Sequence, residues 1–163
     1  MTEIVFLRHG RALGTLEAGV KSDSERPLSP LGEKEARETA EHLKTAGFRA
    51  ELIISSPYRR ADSTAQILRV FFPEASSRKS SVIADGPADD MLEAVRSAAA
   101  SAKSGVIIVG HQPLLGSIAA FLTGSAPFSL APAGFIRISG SVNPGKSSLV
   151  EFYSPPAAKG PSL

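Results

Sequence analysis

The sequence contains no cysteine, and this absence excludes several kinds of chemistry. A chain without thiols can form no disulfide, no thiolate zinc site and no cysteine nucleophile. The same absence fits a reducing compartment, and we expect a cytoplasmic protein. The formal net charge is only +2 over 163 residues. Because so small an excess gives no strong surface potential, we expect neither nucleic acid nor a membrane as a partner.

Long apolar runs are absent as well. No stretch approaches the roughly 20 apolar residues that a membrane-spanning helix needs. The apolar run at residues 4–7 has no basic region before it, so we do not expect a signal peptide. The remaining composition is that of an ordinary globular protein, with 42% hydrophobic and 21% charged residues. A chain of this length can bury one sizeable core, and we expect a monomer with a single domain.

Short apolar segments alternate with amphipathic segments along most of the chain. The pattern predicts strands at 2–7, 50–56, 78–84, 105–110, 133–140 and 147–153, and helices at 29–47, 57–72, 88–103 and 113–124. Ser29 and Ser56 are the expected caps of the first two helices. The alternation predicts an α/β fold, a mainly parallel sheet with helices on both faces. We expect this domain at 1–153, a loop at 10–28 and a disordered Pro- and Gly-rich tail at 154–163.

The residues that follow three of the predicted strands are the candidates for a functional site. In parallel sheets, ligands bind at the carboxyl ends of the strands. The first strand is followed by Arg8, His9 and Gly10, the second by Arg59 and Arg60, and the strand at 105–110 by His111. Two histidines and several arginines therefore collect at one edge of the sheet. Gly10 would also let the backbone approach a ligand closely.

Structural explanations compete with functional ones for these residues. A lone histidine is more often a structural hydrogen-bonding residue, and we assign His42, on the polar side of a helix, to that class. His9 and His111 differ because each lies between an apolar strand and a turn. A metal site is the rival interpretation, but it would need more histidine or carboxylate ligands at these strand ends. The segments supply arginines instead, which repel a metal ion and attract a phosphate.

Arg59 and Arg60 fall in the predicted first turn of a helix, where cations oppose the helix dipole. An anion bound at that helix end would stabilise both the dipole and an arginine, which favours a binding role for Arg60. Arg59 is either a solvated surface residue or a residue that helps to capture an anionic substrate.

These residue types together indicate phosphoryl transfer without a metal or other cofactor. Arginines can neutralise the phosphate oxygens, as Mg²⁺ does in other enzymes. A neutral imidazole is a competent nucleophile, provided that an acceptor holds the proton on its other nitrogen. A second histidine could donate a hydrogen bond to the transferring group. The chain has no P-loop motif.

Three motifs in this order resemble the histidine phosphatase superfamily, which includes the phosphoglycerate mutase-like enzymes. They are Arg8-His9-Gly10, "SSPYRRADSTA" at 55–65 and "VGHQPLL" at 109–115, and the segment "DSERPLSPLGEKEA" at 23–36 strengthens the resemblance. The resemblance implies a phosphoglycerate mutase-like fold and a phosphorylated nucleophile at His9. It also implies that Arg8 and Arg60 bind phosphate and that His111 is the second histidine of the phosphate pocket.

The sequence departs from the larger members of that superfamily in one region. Only about 50 residues separate Arg60 from His111, and they contain no obvious segment with the glutamate that serves those enzymes as general acid. Asp85 and Asp23 are the nearest candidates for a proton donor. Short size and a missing acid resemble the SixA-type phosphohistidine phosphatases. A phosphorylated imidazole leaves with a pKa of about 6.5 and so needs less proton donation than an alkoxide.

The sequence therefore predicts a protein phosphohistidine phosphatase that works through a covalent intermediate on His9. Two alternatives stay open. One is a phosphatase of a small phosphoester, such as a sugar phosphate or a nucleotide. The other is a non-catalytic module that only binds phosphate, against which the full set of Arg8, His9, Arg60 and His111 argues.

Overall fold

The computed structural model describes residues 2–159. Its strands are β1 (Glu3–Arg8), β2 (Ala50–Ser55), β3 (Ser76–Lys79), β4 (Gly105–Gly110), β5 (Phe135–Gly140) and β6 (Ser147–Tyr153). Its helices are α1 (Thr15–Ala18), α2 (Pro30–Thr45), α3 (Arg59–Phe71), α4 (Val82–Asp85), α5 (Ala88–Ser101) and α6 (Leu114–Thr123), with 3-10 turns at Asp23–Glu25 and Pro156–Lys159. No helix in the described part of the chain has the length and apolar character to cross a membrane.

The six strands form one sheet in the order β3-β2-β4-β1-β5-β6. The first four strands in this order are parallel to one another, whereas β5 is antiparallel to both β1 and β6. The central strand β4, with the sequence GVIIVG, is buried along its whole length. The prediction of a mainly parallel sheet is therefore confirmed.

Two hydrophobic cores lie on opposite faces of the sheet. Successive side chains of a strand point to opposite faces, so Ile4 and Phe6 of β1 pack with residues of α5 and α6. Val5 and Leu7 pack on the other face with residues of α2 and α3. The predicted arrangement, a single α/β domain with helices on both faces, is confirmed.

The region predicted as a strand at 78–84 differs in the structure. β3 ends at Lys79, and Val82–Asp85 forms the short helix α4 instead. All four residues of β3 are exposed because it is an edge strand, so its sequence lacks the apolar signal of a buried strand. The apolar signal comes from Ile83, which packs into a core from α4. The predicted loop at 10–28 also contains α1 and the turn Asp23–Glu25.

One of the two predicted helix caps is wrong. Ser29 does cap α2, because its Oγ accepts the Gly32 N–H at 3.0 Å. Ser56 does not cap α3, which begins at Arg59. The Ser56 N–H donates to the Val109 carbonyl at 3.0 Å, and this bond keeps Ser56 at the end of the sheet ladder.

The segment after β6 begins with residues that pack on α2. Pro155 is buried, and the Ala157 N–H donates to the Glu38 carboxylate at 2.9 Å. The Ala158 carbonyl accepts a hydrogen bond from Arg11 at 3.0 Å. Residues 160–163, the rest of the expected tail, lie outside the described residues, and the limits 1–153 and 154–163 stay a prediction.

Candidate active site

A pocket of about 510 Å³ lies at the carboxyl ends of β1, β2 and β4. Its lining includes all five residues predicted for the site, namely Arg8, His9, Gly10, Arg60 and His111. They come from segments far apart in the sequence, and the parallel order of β2, β4 and β1 brings them to one edge. The structure therefore collects the predicted residues in a single pocket.

The hydrogen bonds of His9 define which of its ring nitrogens carries the proton. Nδ1 lies 2.7 Å from the Gly10 carbonyl oxygen. A carbonyl can only accept, so Nδ1 carries the proton and Nε2 presents its lone pair. Burial lowers the pKa of His9 to about 3, although the bond to Gly10 acts in the opposite direction; the charge that His111 takes up in acid and the charges of Arg60 and Arg8 lower it further. The imidazole is therefore neutral near pH 7.

The turn after β1, which positions His9, is fixed by contacts of Gly10 with α2 and α3. The Gly10 N–H donates to Thr64 Oγ1 at 3.1 Å, and that hydroxyl donates to the Arg60 carbonyl at 2.8 Å. A Cβ atom on Gly10 would lie 2.5 Å from the Gly32 carbonyl oxygen at the start of α2. Glycine is therefore required at position 10 by the close approach of α2.

Arg8 lines the pocket, and its guanidinium group lacks part of its hydrogen-bond partners within residues 2–159. Its Nη1 donates to the Leu130 carbonyl at 2.9 Å, while its buried Nε has no hydrogen-bond partner among the described residues. Burial lowers the pKa of Arg8, and the negative charge of Glu35 acts in the opposite direction. Glu35 is fully buried and accepts hydrogen bonds from the Arg11 backbone and side chain at 3.2 and 3.1 Å. The environment of Arg8 therefore favours a bound anion.

Arg60 faces into the pocket and is only 8% exposed. Its Nε donates to His9 Nε2 at 3.3 Å, and its Nη1 and Nη2 donate to the carbonyl and carboxylate of Asp23 at 2.8 and 2.9 Å. The guanidinium carbon lies 5.0 Å from the centre of the Tyr58 ring. Arg59 is exposed, because successive helix residues point about 100° apart.

His111 is the second histidine at this edge of the sheet. Its ring centre lies 5.1 Å from that of His9, and its Nε2 lies 2.8 Å from Ser56 Oγ. Burial, followed by the positive charge of Arg60, lowers the pKa of His111 to about 4. The Tyr58 ring packs edge-on against it at 4.9 Å. Both histidines are thus fixed in place and neutral near pH 7.

The two carboxylates considered as proton donors differ in their surroundings. Asp23 accepts hydrogen bonds from Arg26 and Arg60, which lower its pKa, so it is ionised and poorly suited to donate a proton. Asp85 accepts a hydrogen bond from the Tyr58 hydroxyl at 3.1 Å. This contact raises the pKa of Tyr58. No cluster of three or more histidine or carboxylate side chains that could hold a metal ion occurs within residues 2–159.

Comparison with known proteins identifies the family. The model of the histidine phosphatase superfamily (branch 1) matches residues 4–74, which include His9 and Arg60. An uncharacterized protein of Picosynechococcus sp. is 32% identical over 140 residues, which make up 83% of this chain and 84% of that protein. This chain belongs to the histidine phosphatase superfamily. The assignment made from the sequence motifs is confirmed.

Other similar proteins include phosphatases of different length. The uncharacterized phosphatase PhoE of Bacillus subtilis is 35% identical over 71 residues, so the chain covers only 36% of that protein. The solved structure of the protein histidine phosphatase SixA with tungstate has a TM-score of 0.83 at 23% identity, over 94% of this chain and 97% of that one. A mycobacterial glucosyl-3-phosphoglycerate phosphatase has a TM-score of 0.71 at 18% identity, over 94% and 98%. At these identities the likeness concerns the fold alone.

The site of this member of the histidine phosphatase superfamily also contains residues that the sequence did not assign to the site. Tyr58 lines the pocket and contacts both Arg60 and His111. Arg26 lines it too, and Ser56 contacts His111. Tyr58 and Arg26 belong to the segments that carried the resemblance. Their position within those segments was the signal that could have assigned them to the site. The direction of their side chains depends on the surrounding loops.

Proposed function

We propose that this chain is a metal-independent phosphatase in which His9 Nε2 accepts the phosphoryl group and passes it to water. The observation that carries the proposal is the hydrogen bond from Nδ1 to the Gly10 carbonyl at 2.7 Å. That bond leaves the lone pair on Nε2, and burial keeps the ring unprotonated. A neutral, oriented imidazole is a competent nucleophile for covalent catalysis.

The charges around His9 support the transfer of a dianionic group. Arg60 Nε contacts the reacting nitrogen, and Arg8 lines the same pocket. Fixed guanidinium groups stabilise negative charge on phosphate oxygens and need no reorganisation during the reaction. His111, whose ring centre lies 5.1 Å from that of His9, would donate a hydrogen bond to one of those oxygens.

The proposed reaction has two displacements at phosphorus. In the first, the bond from phosphorus to His9 Nε2 forms as the bond to the leaving group breaks, and the leaving group takes up a proton from solvent. In the second, water attacks the phosphorus, the P–N bond breaks, the attacking water returns one proton to solvent, and hydrogen phosphate is released with His9 neutral again. The positive charges of Arg8 and Arg60 act in both steps.

A phosphohistidine side chain in a protein is the substrate that we propose. A phosphorylated imidazole needs little help from a general acid, and Asp23 is held as an ionised carboxylate. The residues between Arg60 and His111 form α3, β3, α4, α5 and β4, which are parts of the sheet and its helix layers. They contain no obvious segment with the glutamate that larger members of the superfamily use as general acid. The similarity in fold to the protein histidine phosphatase SixA supports the same substrate class.

A small phosphoester is the second candidate substrate. The observation that favours it is the hydrogen bond between Tyr58 and Asp85 next to His111, because a hydroxyl–carboxylate pair could supply a proton to an alkoxide. The similarity in fold to a glucosyl-3-phosphoglycerate phosphatase is consistent with it.

The test compares the wild-type chain with His9→Ala on a phosphohistidine peptide and on a panel of sugar phosphates and nucleotides. We expect preferential turnover of the peptide, an acid-labile and base-stable phosphoenzyme in the wild type, and neither in the variant. Substantial turnover by His9→Ala would contradict the mechanism. Preference for a small phosphoester would support the second candidate, and phosphate binding without any turnover would indicate a binding module.

Chelation tests the absence of a metal requirement. We expect activity to survive EDTA because arginines neutralise the phosphate charge. Loss with EDTA and recovery with Mg²⁺ or Zn²⁺ would support a metal site instead.

A further inference from the structure

The guanidinium group of Arg60 is held from outside the pocket by one residue. Both outer nitrogens of Arg60 donate to Asp23, one to its main-chain carbonyl at 2.8 Å and one to its carboxylate at 2.9 Å. Arg60 Nε is left to face His9 Nε2 at 3.3 Å. The contacts to Asp23 therefore determine which edge of the guanidinium group points to the reacting atom.

The same carboxylate also holds a second arginine. Asp23 Oδ1 accepts a hydrogen bond from Arg26 Nη1 at 2.9 Å, and Arg26 Nε donates to the Leu13 carbonyl at 2.8 Å. Arg26 and Arg60 both line the pocket, whereas Asp23 is not among its lining residues. A carboxylate between two guanidinium groups offsets their mutual repulsion.

We infer that Asp23 is a positioning residue: it holds Arg60 and Arg26 against the pocket so that both are oriented before phosphate arrives. This inference rests on the proposed function, since the pocket must take a phosphoryl group. A free arginine side chain loses conformational entropy when it binds an anion, and an arginine already held by a fixed partner loses less. Oriented donors also stabilise the transition state more than mobile ones do.

The location of Asp23 fits a role that acts through other residues. It begins the 3-10 turn Asp23–Glu25, and its carbonyl also accepts the Arg26 N–H at 3.2 Å. The side chain of Asp23 is 58% exposed, so a substitution there removes little packing. Two other roles for this carboxylate make different predictions: a proton donor to the leaving group, and an internal anion that competes with phosphate for Arg60.

Asp23→Asn separates these three roles, and Glu25→Gln is the matched control. The control removes one negative charge from the same turn, at a residue whose carboxylate accepts the Lys21 N–H at 3.4 Å. The measurements are kcat and KM for phosphomonoesters with good and poor leaving groups, and the inhibition constant of inorganic phosphate. We expect kcat/KM of Asp23→Asn to fall about tenfold or more, by the same factor for every leaving group, with weaker inhibition by phosphate. Glu25→Gln should resemble the wild type.

Each other outcome overturns the inference. A loss that grows with the pKa of the leaving group would make Asp23 the proton donor. Tighter inhibition by phosphate would make it a competitor of the substrate. Unchanged kinetics would mean that Arg60 keeps its orientation without the Asp23 carboxylate.

A double-mutant cycle on phosphate binding tests the inference independently of turnover. If Asp23 acts mainly through Arg60, Asp23→Asn should weaken phosphate binding in the wild-type background but much less in an Arg60→Ala background, where only the contact to Arg26 is left. Equal losses in both backgrounds would contradict the inference. Calorimetric titration with inorganic phosphate provides the data. Because this measurement does not depend on turnover, the positioning role of Asp23 and the phosphorylation of His9 are tested separately, and either can fail without the other.

Discussion

A single main-chain carbonyl, that of Gly10, determines which nitrogen of His9 carries the proton and which keeps its lone pair. The side chain is otherwise an ordinary imidazole, and its neutral form near pH 7 follows from burial. Arg60 shows the same dependence on surroundings. Its position in the first turn of α3 is unfavourable for a cation, but its contacts to Asp23 and the ring of Tyr58 hold it there.

The first prediction at this scale separates Arg60 from Arg59. Arg60→Ala removes a buried charged donor from the pocket, and we expect kcat/KM to fall about 100-fold or more. Arg59 is exposed, so Arg59→Ala should weaken substrate capture only mildly, and added salt should remove most of the difference. Arg60→Lys should not restore activity, because an ammonium group cannot reproduce the guanidinium fork.

Steady-state kinetics of the three variants at low and high salt measure these effects. Equal, salt-insensitive losses for Arg59→Ala and Arg60→Ala would contradict the assignment of Arg60 alone to the pocket.

The second prediction concerns acid stability. The folded-state pKa of His9 is about 3, below the value of about 6.5 expected in the unfolded chain. As the pH falls below 6.5, the unfolded chain binds a proton that the folded chain does not, so the native state loses stability. We expect His9→Asn to lose about 2 kcal/mol less than the wild type between pH 7 and pH 5. Urea unfolding at several pH values measures this, and parallel stability curves would contradict it.

At the scale of secondary-structure elements, the turn after β1 is held between the beginnings of two helices. Gly10 lies against Gly32 in the first turn of α2, and its N–H bonds Thr64 of α3. β1 itself is fixed by β4, because the His9 N–H donates to the Gly110 carbonyl at 3.1 Å. The position of His9 therefore depends on two helices and a neighbouring strand at once.

Gly10→Ala tests this packing. The added Cβ would lie 2.5 Å from the Gly32 carbonyl oxygen, so we expect a stability loss of about 1–3 kcal/mol and a large loss of activity as His9 shifts. Gly14→Ala is the matched control, since a Cβ there meets no atom within 4 Å. Chemical denaturation and turnover of both variants provide the measurement. Equal effects at the two positions would mean that the approach of α2 imposes no constraint.

At the scale of the whole molecule, the segment after β6 returns to the edge of the sheet that carries the site. Ala157 bonds Glu38 of α2, and the Ala158 carbonyl accepts from Arg11, which lines the pocket. Ala157 and Ala158, which make these two contacts, therefore lie beyond the predicted domain limit at residue 153.

A chain that ends at Tyr153 tests that limit. We expect it to fold, because both cores lie within residues 4–153, and to lose about 1–2 kcal/mol with the lost hydrogen bonds and the buried Pro155. Glu38→Ala should destabilise the full chain and have little effect on the shortened one. Failure of the shortened chain to fold would move the domain limit towards the C-terminus, and equal effects of Glu38→Ala in both chains would contradict the role of the Glu38–Ala157 contact.

The class of fold and the five predicted residues that line the pocket follow from the pattern of the sequence alone. Short apolar runs mark buried strands, and the polar residues that follow them in the chain must lie at the carboxyl ends of those strands. Because β1, β2 and β4 are parallel neighbours, His9, Arg60 and His111 had to meet at one edge. The location of residues that directly follow a strongly apolar strand can therefore be predicted from the sequence.

The contacts that hold those residues in place depend on the arrangement of the loops in space. Asp23 lies 37 residues from Arg60 in the chain and reaches it through an irregular loop, which no periodicity describes. Ser56 looked like a helix cap, but its N–H stays in the sheet ladder while its hydroxyl contacts His111. The physical reason is the same in both cases: hydrogen bonds between loops depend on the distance and direction of groups in space, which neighbours in the sequence do not fix.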